Sequence, residues 1–242
     1  MKRLDGKVAV VTGSSSGIGA GIAGGFATEG AAVVLAARRA DRLQTIAEQI
    51  TNRGGVAIPV PTDLTSETQV DQLFSTTVER CGRLDILVNN AGAEVRAPIE
   101  ELAVEDWDRV MAVNLRAAFL CTRHAMRIMK RQGGGRIINI GSIAAQRVRP
   151  DNVAYNVSKF GLDGLTQATA LEGRSHGVVC SILHPGNTRS EMMTDSHPDA
   201  AEPMMEVEVL VQVAVLMATL PAKVNMFQAI VLPVGMPYLG RG

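Results

Sequence analysis

The 242-residue chain reads as an α/β protein, a doubly wound parallel sheet of Rossmann type in a single domain. Three observations say so. Short β-branched runs alternate with longer helical patterns almost to the end, the runs are nearly all apolar, and a glycine-rich turn joins the first run to the first helix. Nearly all-apolar strands belong to sheets covered on both faces, and strand–helix alternation is the pattern of parallel sheets. At 46% hydrophobic the chain can bury one large core, and no linker, repeat or low-complexity stretch divides it.

Each element follows from its own run. VAVV at 8–11 is the first strand, and the pattern at 18–29 the first helix. AVVLA at 32–36 leads into a helix at 40–53, and VAIPV at 56–60 into one at 66–80. ILVN at 86–89 precedes a long helix at 104–130, and RIINI at 136–140 one at 154–174. VVCSIL at 178–183, a helix at 206–220 and AIVL at 229–232 complete the alternation. Ligands of such sheets bind beyond the carboxyl ends of the strands. That rule selects Gly13, Arg38, Asp63, Asn90, Ser142 and Pro185, each following a strand. The irregular stretch 187–203, with Met192, Met193 and two prolines, is expected to serve as a substrate lid over about 187–206.

Composition excludes several function classes. Lys+Arg 24 and Asp+Glu 24 cancel, so no basic field favours nucleic acid or an anionic membrane. Cys81, Cys121 and Cys180 are odd in number and lack metal-type spacing, as in a reduced cytoplasmic protein. The four histidines are scattered, so no metal site is expected. No eighteen-residue apolar run is present, and a soluble protein without a signal peptide is expected.

The turn TGSSSGIG, residues 12–19, breaks a buried strand and restarts as a helix N-terminus. Backbone N–H groups and the helix dipole make such a terminus an anion site. Gly13, Gly17 and Gly19 leave no side chain where a pyrophosphate approaches, and Ser15, Ser16 and Ile18 complete the candidate cradle. A literal G-x-G-x-x-G at Gly19, Gly21 and Gly24 starts inside the helix instead. There each glycine costs roughly 1 kcal/mol against alanine, and close packing of the helix on the sheet is the better reading. No G-K-[ST] ending follows, which rules out a triphosphate P-loop. After the second strand the chain reads Arg38-Arg39, with no acid before Asp41. Guanidinium groups pair with a ribose phosphate where a carboxylate would repel it, so the expected cofactor is NADP(H).

Tyr155 and Lys159 lie four residues apart, on one helical face. A free tyrosine titrates near ~10, and a neighbouring ammonium is expected to lower that value towards useful acid–base chemistry. Ser142, just past the strand 136–140, is placed to hold a substrate oxygen. Asn114 is a poor helix-interior residue, and two readings stand: a water-facing amide, or one that binds a relay water towards Lys159.

Together these residues resemble the short-chain dehydrogenase/reductase family. TGSSSGIG, Asn89-Asn90-Ala91-Gly92, Asn114, Ser142, Tyr155/Lys159 and Pro185-Gly186 recur in its order and approximate spacing, from about 7 to 232. The resemblance implies Tyr155 as acid/base, Lys159 lowering its pKa and binding the nicotinamide ribose, Ser142 orienting the carbonyl, and Asn114 holding a relay water. It also implies Asp63-Leu64 on the adenine, Asn90, Ala91 and Gly92 on the cofactor ribose and backbone, and Pro185, Gly186 and Thr188 on the carboxamide. Homo-oligomers, dimers or tetramers built on the helices of Asn114 and Lys159, are implied too. Two features depart from the family pattern: the segment 187–203 is short, and the tail 233–242 lacks the usual Asp-Gly-Gly ending.

The leading reading is an NADP(H)-dependent carbonyl reductase acting on a small carbonyl or secondary alcohol. A 3-oxoacyl-thioester reductase is a variant of it, and a non-catalytic NADP(H)-sensing protein an alternative from another class. The segments 93–98, 143–152 and 187–203 are expected to line the substrate pocket. Arg147 and Arg149 either bind a substrate carboxylate or phosphate or are solvated surface arginines.

Overall fold

The apolar runs form seven strands, all parallel in one sheet: β1 (Val8–Thr12), β2 (Ala32–Ala37), β3 (Val56–Pro61), β4 (Ile86–Asn89), β5 (Gly135–Ile140), β6 (Val178–Pro185) and β7 (Gln228–Val231). The computed structural model describes residues 2–191, 193 and 202–238. Strand order is β3-β2-β1-β4-β5-β6-β7, so the winding reverses between β1 and β4. Prolines 59 and 61 sit in β3, at an edge, where a missing N–H costs no ladder bond on the solvent side.

Helices cover both faces: α1 (Gly17–Thr28), α2 (Ala40–Asn52), α3 (Glu67–Cys81), α4 (Val104–Met111), α5 (Ala117–Gln132), α6 (Val153–Gly173) and α7 (Val207–Thr219). Alternation along β1 shows why its run is continuously apolar. Ala9 and Val11 join the core under α1, α2 and α7, whereas Val10 joins the core under α3 and α5. The doubly wound single-domain reading therefore holds.

Two local expectations are corrected, and one open point is closed. The helix expected at 104–130 is two helices, α4 and α5, separated by a π-helical turn, Ala112–Arg116, that holds Asn114. Gly21 does not pack α1 on the sheet: a Cβ there would meet Val207 at 2.5 Å, and one on Gly25, a turn further along, would meet Val211. They bring α1 against α7 instead, and Gly24 faces open space. The C-terminal tail, left open by the sequence, folds back on its own chain as far as Tyr238. Met236 is buried there, and the Tyr238 hydroxyl donates to Gln146 Oε1 at 2.8 Å.

Buried polar groups tie the central strands to their helices. Asn89 donates to Thr122 at 3.0 Å and to Asn139 at 2.8 Å, and Asn139 donates to Thr166 at 2.8 Å. At the opposite end of the sheet from the cleft, Asp85 accepts from Val8 N at 3.0 Å and from Arg83 Nε at 2.8 Å. Arg136 in β5 donates to the carbonyls of Leu220, Pro221 and Val224, satisfying the chain just beyond α7.

Candidate active site

The turn after β1 is built for close approach. Gly13 at φ +64° and Gly17 at φ +54° occupy the left-handed region that side chains disfavour, and a Cβ on Gly13 would meet Ala91 Cα at 2.8 Å. Thr12 Oγ1 accepts the N–H groups of Asn90 (2.9 Å) and Ala91 (3.2 Å), while Asn90 Nδ2 donates back to the carbonyls of Thr12 and Gly13. These bonds lock the first turn to the end of β4 across the winding reversal. Ser16 N-caps α1 without a side-chain hydrogen bond, so the first N–H groups of the helix keep no internal partner from that cap.

Arg39 lies over this turn. Its Nη2 donates to Ser15 Oγ and Ser16 Oγ, both at 2.9 Å, and its Nη1 reaches Glu191 at 3.4 Å. Arg42, not singled out from the sequence, donates to Glu191 at 2.6 Å. Asp63 accepts from Thr65 N and Oγ1, which hold its carboxyl below the usual range, with Arg38 adding to the effect.

Across the reversal, β5 and α6 supply the reactive groups. Lys159, 4% exposed, donates to Ile140 O at 2.9 Å, with its ammonium 5.4 Å from the Tyr155 ring centre. The Ser142 side chain shares the cleft with the Tyr155 phenol and accepts from Ala144 N at 3.1 Å. The expected lowering of the tyrosine pKa is not what the chain by itself produces. Burial pushes Tyr155 up to about 12, with Ser142 acting the other way, and pulls Lys159 down to about 8. Desolvation penalises the charged form of each group and is the largest influence on both. Glu94 raises both groups; its carboxylate accepts from Asn152 Nδ2.

One cleft of about 370 Å³ beyond the carboxyl ends of the strands is lined by every expected site residue except Gly19 and Asn114. Those two support the wall. A Cβ on Gly19 would meet Gly13 O and the Asn90 amide. Asn114, 1% exposed, accepts from Ala93 N at 2.7 Å and donates to Ala93 O and Ser158 Oγ, both at 2.9 Å. Its side chain thus pins the loop after β4 rather than facing water. Thr188 donates to Gly186 O at 3.0 Å, and pairing of Thr188 with Met205 closes the base of the expected lid. Within that lid, 192 and 194–201 lie outside the described residues, as does 239–242 of the tail.

His184 has a structural role, as its place before Pro185 suggests: its Nδ1 lies 2.8 Å from Ser142 O. It stands at the end of β6, beside the end of β5.

The sequence profile of the short chain dehydrogenase family matches residues 7–201. The chain belongs to this family. A D-beta-hydroxybutyrate dehydrogenase of Rhizobium meliloti (strain 1021) is 39% identical over 197 residues, 81% of this chain and 76% of that one. A 3-oxoacyl-[acyl-carrier-protein] reductase of a Synechocystis strain is 36% identical over 207 residues, 85% and 83% of the two chains. Among solved structures, a metagenomic short-chain oxidoreductase in complex with NADP superposes with a TM-score of 0.86 at 34% identity, covering 96% of this dehydrogenase and 99% of its own chain.

Proposed function

We propose that this short chain dehydrogenase transfers a hydride between NADP(H) and a small carbonyl or secondary-alcohol substrate, with Tyr155 as the general acid and base. The observation that carries the reading is the convergence of Ser142, the buried Tyr155 and an anchored Lys159 in the same cleft as the arginine-flanked glycine turn.

The residues present fit the dinucleotide. The positive-φ glycines and the uncapped start of α1 suit a pyrophosphate, and Arg38 and Arg39 suit a 2′-phosphate. Arg42 extends that cationic edge. When bound, the nicotinamide supplies or accepts the hydride at the carbonyl carbon. In reduction, Ser142 orients the carbonyl oxygen by hydrogen bonding, and the Tyr155 phenol gives that oxygen its proton as negative charge develops. The phenolate left on Tyr155 is stabilised by Ser142 and the Lys159 ammonium, then regains a proton from solvent. Oxidation runs the same transfers backwards. Asn114 acts by fixing the loop after β4.

A 3-oxoacyl thioester is a second substrate reading, supported by the 36% identical reductase. The exposed Phe119 of α5 and Phe160 and Leu171 of α6 support a homo-oligomer built on these helices.

The purified protein mixed with NADPH and a panel of ketones, aldehydes and 3-oxoacyl thioesters tests the reading through NADPH absorbance. Consumption with at least one carbonyl is expected. Tight NADPH binding without turnover of any of them favours a sensing protein instead.

A further inference from the structure

We propose that Arg147, held in place by Tyr238 of the C-terminal tail, recognises an anionic group on the substrate, so that oxo acids and their hydroxy-acid partners are preferred over neutral ketones. This rests on the oxidoreductase reading above.

The chain brings Arg147 to the cleft by a tight local turn. After Ser142 the residues Ile143–Ala145 form a 3₁₀ turn, and the N–H groups of Gln146 and Arg147 both donate to Ile143 O at 2.9 Å. Arg147 therefore lines the same cleft as Ser142 and Tyr155.

Charge on this side of the cleft is unequal. The cations lining it are Arg109, Arg147, Arg149 and Lys159. Arg109 pairs with Asp106 at 2.7 Å, and Arg149 pairs with Glu202 and donates to Asn187 at 3.3 Å. Lys159 lies in the field of Glu94, which holds its proton more firmly. Arg147 makes no ion pair among the described residues; its guanidinium donates to its neighbour Gln146 O at 3.1 Å. Among the described residues, Arg109 and Arg149 are thus ion-paired and Lys159 is anchored on a backbone carbonyl, whereas Arg147 offers a planar fork suited to a carboxylate.

A freely solvated arginine contributes little to recognition, because ordering it offsets most of the gain. Arg147 is exposed but restrained. Its guanidinium carbon lies 5.7 Å from the Tyr238 ring centre, and the Tyr238 hydroxyl is hydrogen-bonded to Gln146, the preceding residue. Met236 seats the tail against the end of β6, where a Cβ on Gly186 would meet its sulfur at 2.9 Å. Stacking pre-organises the guanidinium, so less freedom is lost when an anion binds. Arg147 is the recognition group, and Tyr238 is a positioning residue that acts through it.

The test compares probes differing only in charge: acetoacetate with methyl acetoacetate, and pyruvate with methyl pyruvate, each with NADPH. Wild type is expected to favour at least one acid over its ester by tenfold or more in kcat/KM. Arg147→Met is expected to lower kcat/KM for that acid at least tenfold more than for the ester, mainly through KM, with Arg147→Lys recovering part of the loss. Tyr238→Leu is expected to raise KM for the acid while kcat holds, and Tyr238→Phe, which keeps the ring, to lose less. Unchanged melting temperatures for these variants exclude a folding defect. Equal use of acids and esters by wild type, or equal losses on both in Arg147→Met, overturns the proposal while leaving the oxidoreductase reading standing. No turnover of any carbonyl, with NADPH bound, overturns the oxidoreductase reading and this proposal with it.

Discussion

The two halves of the cleft are made differently. On the nucleotide side, backbone does most of the shaping: glycines of one turn, a helix start, and Arg39 bonded to Ser15 across 24 residues. On the substrate side the wall is assembled from side chains far apart in the chain. Gln146 and Tyr238 meet across 92 residues, and Arg149 and Glu202 across 53. A ligand common to many enzymes can be met by one compact motif, whereas a particular substrate is met by whatever distant segments fold over it.

The largest way to separate the halves is Tyr155→Phe. It removes the proton donor and leaves the cradle, so turnover should fall about a thousandfold while the NADPH dissociation constant stays within about twofold. Titration of NADPH fluorescence beside steady-state rates checks this, and retained turnover defeats the acid–base assignment. On the other side, Arg38→Asp combined with Arg39→Ala should cost about 3 kcal/mol of phosphate recognition, about a hundredfold in the NADPH/NADH ratio of kcat/KM. An unmoved ratio would hand the 2′-phosphate to Arg42.

Gly19→Ala sharpens the contrast through packing alone. Its new Cβ meets Gly13 O and the Asn90 amide, so about 1–3 kcal/mol of strain is expected, read as weaker NADPH binding and a lower melting temperature. The smallest effect is expected from Glu94→Gln. Glu94 raises both Tyr155 and Lys159, so removing its charge lowers both. Alcohol oxidation needs the deprotonated phenol, and the rising limb of its kcat–pH profile should therefore move to lower pH. A shift the other way would mean that Glu94 acts on substrate rather than on the pair.

The contrast also explains what was legible in the sequence. β1, its turn and the register of Tyr155 with Lys159 depend on neighbours within a few residues, and there pattern and structure agree. The strand ends that gather Arg38, Asp63, Asn90, Ser142 and Pro185 followed from one topological rule. The sign of the Tyr155 shift was not legible, because burial is set by the whole fold around it. Nor was Gly21 against Val207, since a small residue on a helix does not say which neighbour it admits. The seat of Tyr238 on Gln146 rests on a tail with no periodicity of its own.

The π-helical turn Ala112–Arg116 makes the count of residues, beside the identity of Asn114, a quantity that matters between α4 and α5. An extra residue in a turn rotates the downstream helix by about 100° around its axis. On one side of that offset α4 buries only Val110, while on the other α5 lays Leu120, Cys121, Ala125 and Met129 against the sheet. Substitution within the turn changes side chains but keeps the offset. Deletion of a single residue there would restore an uninterrupted helix and carry Asn114 away from Ala93, so a gap displaces this amide even where its identity is kept.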